Sequence, residues 1–186
     1  MKFFSNFLLV LSLGVGAAWG EDAVVTDAYK LQPGDVLTVN VWKETELQGD
    51  VLVRPDGGLS FALAGELQAA GHSVAELTAL LAERIRKYIP DAVVTVSVKL
   101  ASGNRVYVIG KVNKPGDFSL QRPLDVMQAL SLAGGTTPFA DTNAIRVLRR
   151  QGVQQSTILF HYNEVERGRR LDQNILLQSG DTVVVP

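Results

Sequence analysis

No cysteine occurs in the 186 residues, which excludes a disulfide framework, a thiolate metal site and a lipid-carrying cysteine behind a leader. Histidine is almost as scarce. His72 and His161 stand far apart without neighbours at metal-ligand spacing, so solvated or structural roles fit them better than ligation. Charge of either sign is nowhere concentrated. The formal net charge is −1 and no polybasic or polyacidic block exists, so nucleic acid is not an expected partner. A triphosphate-binding G-x-x-x-x-G-K-[ST] loop is missing, and the nearest approach to G-x-G-x-x-G, at Gly14 and Gly16, has Trp19 where glycine should stand. The serines lack a nucleophile elbow. No cofactor is implied, and no catalytic or metal-binding residue is assigned.

Long apolar runs are also few. The one near the N-terminus, Phe7 to Ala18, follows Lys2 and ends in Ala18-Trp19-Gly20, with small residues where a signal peptidase needs them. It is shorter than the roughly 20 residues of a spanning helix and runs directly into Glu21-Asp22. Residues 1–20 therefore read as a cleavable secretory leader. Cleavage after Gly20 leaves a periplasmic protein, with association to the outer membrane as a further expectation, and loss of Lys2 makes it one unit more negative.

Two small α+β modules are legible in the remainder. After a lead segment, 21–28, the turn Tyr29-Lys-Leu-Gln-Pro-Gly-Asp35 feeds a strand from Val36 to Val41, with Leu37, Val39 and Val41 on a core face. Val51 to Arg54 and Leu59 to Leu63 flank the turn Pro55-Asp56-Gly57-Gly58 and read as a hairpin. Ser73 and Glu76 form a capping box ahead of the apolar stripe Val74, Leu77, Leu80, Leu81, Ile85 and Tyr88, which Pro90 ends. Val94, Val96, Val98 and Leu100 alternate inward. The segment 101–104 is small and polar, and it separates a module at 29–101 from one at 104–186.

The second module opens with Val106 and Val108 alternating with Tyr107 and Ile109. A turn at Lys114-Pro115-Gly116-Asp117 follows, and alternation resumes at Phe118 and Leu120. Pro123 suits the first turn of a helix carrying Val126, Met127, Leu130 and Ala133, with Gly134-Gly135 as its left-handed stop. Strands at Ile145 to Leu148, Thr157 to Phe160 and Asp181 to Val185 complete it, and the terminal Val183-Val-Val-Pro186 reads as a sheet edge. Leu31-Gln-Pro-Gly-Asp35 is echoed by Leu177-Gln-Ser-Gly-Asp181, a repetition that turn chemistry explains without a ligand.

Val106, Val108, Gly110, Val112, Pro115 and Gly116, with Ala133, Gly134 and Gly135, resemble the SLBB domain, a β-grasp module. Tyr29, Leu31, Pro33, Gly34, Asp35, Val36 and Leu37, then 53–57, then Ala64-Gly65-Glu66 and Gly71, resemble the polysaccharide export (PES) domain. PES followed by SLBB behind a leader is similar to the bacterial polysaccharide biosynthesis/export family. The resemblance implies a non-enzymatic translocon component, a ring-shaped homo-oligomer through which a polysaccharide chain crosses the periplasm and outer membrane. Larger members carry a lipidated cysteine and a C-terminal amphipathic helix. Without them, the expectation is a periplasmic ring or adaptor working beside a separate outer-membrane barrel and an inner-membrane chain-length regulator. Gly34, Asp35, Gly57, Gly110, Pro115, Gly116, Gly134, Gly135, Gly180 and Asp181 are then structural, setting backbone geometry.

Two other classes remain open. A polysaccharide-degrading enzyme would use a carboxylate pair such as Asp50 with Asp56, or Glu44 with Glu46, but each sits in or near a turn where acids are common for solvation. A small glycan- or ligand-binding module would need an aromatic platform, for which Trp42 is the candidate, as it is for an interface. The usual burial of large aromatics favours core packing of Trp42, and Tyr107, Phe118 and Phe139 also read as core. Arg146, Arg149, Arg150, Arg167, Arg169 and Arg170, with Glu164 and Glu166 among them, read as a solvated face, or as charges at a subunit interface or passage.

Overall fold

A computed structural model describes residues 28–186. The leader at 1–20 and nearly all of the lead segment lie outside the described residues. Ten strands and three short α-helices follow: β1 (Val36–Val41), β2 (Glu44–Leu52), β3 (Gly58–Phe61), β4 (Gly65–Gln68), α1 (Val74–Ile85), β5 (Val94–Leu100), β6 (Arg105–Gly110), β7 (Gly116–Ser119), α2 (Val126–Leu132), β8 (Ile145–Gln151), β9 (Gln154–Phe160), α3 (Tyr162–Glu166) and β10 (Thr182–Val185).

The first sheet has the order β2-β1-β5, all antiparallel, with β3 and β4 as a separate two-stranded ribbon. Alternation places Leu37, Val39 and Val41 of β1 and Val94 and Val96 of β5 inward, against Leu77, Leu81 and Ile85 of α1. Val98 continues the inward run half-buried against the same core, whereas Leu100 and Tyr88 are exposed rather than core. The hairpin across Pro55–Gly58 does not form. β3 turns at Leu63, which holds a left-handed φ of +62°, and pairs with β4, while β2 begins at Glu44 and pairs with β1.

Helix α1 starts where its capping box puts it. The Ser73 Oγ accepts from the Glu76 N–H at 3.2 Å, and the Ser73 N–H donates to Glu76 Oε2 at 2.6 Å. Lys30 reaches the same carboxylate at 3.0 Å, so the chain entering β1 is tied to the helix start. The Ser73 N–H first, and Lys30 after it, lower the Glu76 pKa from its ordinary 4.5 to about 2.

The second sheet runs β7-β6-β10-β8-β9, with β10 parallel to β6 and antiparallel to β8. The terminal strand is therefore central rather than an edge. Val183 and Val185 complete the core against Val106, Val108, Ile145 and Val147, and Pro186 falls just beyond the last paired residue, so its missing N–H leaves no gap in the ladder. Helix α2 covers this core with Val126, Ala129 and Leu130. It is capped by Asp125, not opened by Pro123: the Asp125 Oδ1 accepts from the Gln128 N–H at 2.8 Å, and Gln128 returns a bond to the Asp125 N–H. Tyr107 and Phe139 are exposed rather than core, and Phe118 is half-buried.

One ion pair is buried in this module. Arg149 donates from Nε to Asp181 Oδ1 at 3.0 Å and from Nη2 to Oδ2 at 2.6 Å, and its Nη2 also reaches the Leu176 carbonyl. Only 1% of the Asp181 side chain is exposed. Replacing Arg149 leaves that carboxylate buried without a countercharge, so Arg149→Ala is expected to cost about 3–5 kcal/mol in chemical denaturation. Arg149→Lys, a point charge without the planar fork, should recover part of the loss.

Acid weakens the cap of α1. Because the Glu76 pKa is lower folded than unfolded, its contribution is complete above pH about 4.5 and is lost as pH falls through about 2. The melting-temperature advantage of the wild type over Glu76→Gln, present at about pH 6, should shrink steadily across that window.

Candidate functional site

The two Leu-Gln-x-Gly-Asp segments are the same turn built twice. In each, the Gln N–H donates to the Asp Oδ2, at 2.9 Å for Gln32 to Asp35 and 2.8 Å for Gln178 to Asp181, and the Asp N–H returns a bond to the Gln carbonyl. Gly34 and Gly180 hold φ of +95° and +86°, which a side chain resists. The second carboxylate oxygens differ in use. That of Asp181 takes Arg149, whereas Asp35 Oδ1 accepts the Gly103 N–H at 3.0 Å across the segment joining the modules. Ser179, from the second turn, donates its hydroxyl to the Gly103 carbonyl at 3.0 Å. Both turns therefore meet at Gly103. A Cβ added there would lie 2.3 Å from the Pro33 carbonyl oxygen. Tyr29 also donates to Asp35, and burial, then that carboxylate, push its hydroxyl pKa up.

The other glycines are dispersed through both modules. Gly57, Gly110, Gly134 and Gly135 have positive φ, and a Cβ on Gly110 would sit 2.0 Å from the Val185 carbonyl oxygen, inside the β6–β10 pairing. Asn113, beside the Pro115 turn, donates to the Gly134 carbonyl at 2.7 Å and so ties that turn to the end of α2. Gly116 differs: its φ is not positive and a Cβ would meet nothing within 4 Å, so neither strain nor crowding requires glycine there.

Of the candidate catalytic carboxylates, Asp50 and Asp56 are held by separate cations. Asp50 lies on β2, not in a turn, and accepts from Lys99 and Thr38. Asp56 pairs with Arg54 at 3.2 Å. Lys99 first lowers the pKa of Asp50, and Arg54 first lowers that of Asp56, the opposite of the raised value a general acid needs. Glu44 and Glu46 both stand on β2. The His161 Nδ1 meets Gln173 Oε1 at 3.1 Å, and the His72 Nδ1 is buried without a partner. Among the described residues no group of three or more potential ligands is placed to hold a metal ion.

Trp42 is not core. It occupies the two-residue turn between β1 and β2 and is 70% exposed. The turn is closed by the Val41–Glu44 pairing, and the Trp42 N–H donates to the Val93 carbonyl at 2.9 Å. Lys43, next to it, holds φ at +66°. Register places Gln48, Asn40 and Thr95 side by side on the face of the sheet turned away from α1, and with Trp42, Lys43 and Val93 they line a concavity of about 310 Å³. The sequence carried a weak signal for this, the phase of Trp42 with Thr38 and Asn40. The contributions of Gln48 and Thr95 come from strands paired across the sheet.

The second sheet also has an uncovered face. Across β6, β10, β8 and β9, register aligns Ile109, Val184, Arg146 and Leu159, and beside them Tyr107, Thr182, Leu148 and Thr157. Tyr107, Ile109 and Leu159 are exposed. Arg146 and Arg150 are exposed there too, and Arg150 lines a depression of about 470 Å³ with Leu148, Gln155 and Thr182. Arg167, Arg169 and Arg170 lie apart from this face, just after α3, and Arg169 approaches Glu164 at 3.9 Å. Sequence reasoning placed Arg149 with the solvated arginines, and the structure moves it to Asp181.

Known proteins share both modules. Residues 23–99 match the polysaccharide biosynthesis/export protein family, and residues 104–185 match the SLBB domain. The chain is 25% identical to the EPS I polysaccharide export outer membrane protein EpsA of Ralstonia nicotianae, over 83% of this chain and 51% of that protein. It is 31% identical to the exopolysaccharide production protein ExoF of Rhizobium meliloti, over 72% of this chain and 34% of that protein. It is 27% identical to the polysialic acid transport protein KpsD of Escherichia coli, over 92% of this chain and 30% of that protein. The chain thus spans about half the length, or less, of these relatives. No helix among the described residues is long and apolar enough to cross a membrane. With an export domain followed by an SLBB domain, and distant homology to EpsA, ExoF and KpsD, the chain belongs to the polysaccharide biosynthesis/export family.

Proposed function

We propose that this protein is a non-enzymatic component of an export apparatus for an extracellular or capsular polysaccharide, acting in the periplasm or at the outer membrane as an oligomeric conduit or adaptor. Residues 29–101 and 104–186 are its two working modules. A separate outer-membrane barrel and an inner-membrane chain-length regulator are the partners that such a role calls for. The relatives' names support the substrate class, and the ionised state of Asp50 and Asp56 speaks against hydrolysis by that pair.

The observation that carries the oligomeric part is the uncovered face of the second sheet. Tyr107, Ile109 and Leu159 are each about half exposed, and they adjoin half-buried Leu148 and Val184. These apolar side chains, with Arg146 set between Val184 and Leu159 and Arg150 beyond them, have the mixed apolar and arginine composition of a protein contact. The unpaired edges of β7 and β9 add backbone donors and acceptors to it.

Light scattering over a concentration series, with and without mild detergent, tests this. The expected result is a discrete multi-subunit species that Ile109→Asp with Leu159→Asp converts to monomer without loss of fold. A wild-type monomer under every condition refutes the autonomous oligomer. Deleting the gene should abolish surface polysaccharide while its synthesis continues, and normal surface polysaccharide in that strain refutes the export role.

A further inference from the structure

We infer that the concavity at the β1–β2 turn is a carbohydrate subsite, in which Trp42 stacks on a pyranose ring and Asn40, Gln48 and Thr95 bond its hydroxyls. This rests on the export reading for its biological ligand, but on geometry for its chemistry. An indole 70% exposed at the tip of a tight turn presents a large flat face whose negative π surface suits the C–H face of a sugar. The backbone that carries it is held. The main-chain N–H of Trp42 donates to the Val93 carbonyl at 2.9 Å, and the turn keeps Lys43 at φ +66°, a conformation that a non-glycine residue adopts at a cost.

The polar groups around it have the right character. Two carboxamides and a hydroxyl can each donate and accept, as vicinal sugar hydroxyls do. They are also free for a ligand, since none of the side-chain hydrogen bonds among the described residues engages Asn40, Lys43, Gln48 or Thr95. The next row on the same face is occupied within the chain, with Asp50 accepting from Thr38 and Lys99. The volume of about 310 Å³ lies at the lower end of small-ligand sites, enough for a sugar unit of a longer chain.

Other occupants fit less well. The apolar part is confined to Trp42, Val41 and Val93 and gives way to the polar rows of the sheet, too small a patch for a standard protein interface of about 800 Å² per partner. A nucleic acid would need a basic groove beside the aromatic, and Lys43 is the one cation in the lining. That same lysine gives the subsite a preference: a sugar bearing a carboxylate gains a charge-assisted contact that a neutral one lacks.

The protein provides its own probe. It has two tryptophans, Trp19 and Trp42, so the purified chain carrying Trp19→Phe reports on Trp42 alone. Titration with glucuronate-containing oligosaccharides and with neutral gluco-oligosaccharides should shift or quench the emission saturably, more strongly for the acidic series. By calorimetry, Trp42→Ala should weaken binding at least about tenfold. Asn40→Ala with Gln48→Ala should weaken it several-fold, and Lys43→Gln should remove the acidic preference, all with unchanged circular dichroism. Silence of Trp42 emission to both series at millimolar sugar overturns the subsite, as does binding that Trp42→Ala leaves intact. The two readings fail separately. Absence of sugar binding with surface polysaccharide lost in the deletion strain removes the subsite alone, whereas binding with normal surface polysaccharide in that strain removes the export role alone.

Discussion

The peptide unit of Gly103 is gripped from both sides, and the placement of the two modules depends on that grip. Its N–H donates to Asp35, from the turn that opens the first module, and its carbonyl accepts from Ser179, in the turn that leads into the last strand. Asp35 is fully buried, so its carboxylate has little water to fall back on. It is satisfied by the N–H of Gln32, the hydroxyl of Tyr29 and the N–H of Gly103. Hydrogen bonds to a buried charge are stronger than neutral ones and costly to leave unmade. The grip also requires glycine, because the Gly103 Cα lies against the Pro33 carbonyl with no room for a Cβ. Ala101 to Asn104, legible in sequence as a linker, is therefore a fastened joint.

A fastened joint matters more to an assembling protein than to an isolated binding domain. Subunits that meet head to tail close into a ring only if the rotation between neighbours is fixed, and a loose joint inside each subunit would spread that angle. The two turns divide the work. Asp35 gives its second oxygen to the joint, while Asp181 gives its own to Arg149 and so braces β8 against the start of β10 within one sheet. Gly180 closes the loop by donating to the Arg105 carbonyl at 2.7 Å, at the first residue of β6.

Elements whose signal is local were legible in the sequence, and those decided by distant partners were not. The inward faces of β1 and β6 follow from strict alternation, and the start of α1 from a capping box closed within four residues. All of β2 before Val51 was missed because Glu44-Thr-Glu-Leu-Gln-Gly-Asp50 has no apolar alternation: its outer edge is solvated, and pairing with β1 alone makes it a strand. The β3–β4 hairpin hid behind Leu63, since a non-glycine residue with positive φ does not announce a turn. The central place of β10 is a matter of topology, and four residues ending in proline gave no hint of two neighbours. Arg149 shows the same limit for charge, its partner lying 32 residues away and buried.

Trp42 was ambiguous for a related reason, because a strand end can finish in the core or in solvent, and only the turn geometry decides. Its exposure bears on how the proposed conduit would treat its cargo. A polymer that has to move past a protein must be held strongly enough to enter and weakly enough to leave, a balance that spaced, individually weak sites strike better than one deep site. The proposed subsite, a single indole with two amides and a hydroxyl on an open sheet, would be a weak site of that kind. Repeated once per subunit in an oligomer, such sites would share one chain at high effective concentration, so that release from one leaves the polymer held by its neighbours. The shallowness that makes this surface poor as an enzyme cleft is, for the proposed role, the property that lets a polysaccharide pass.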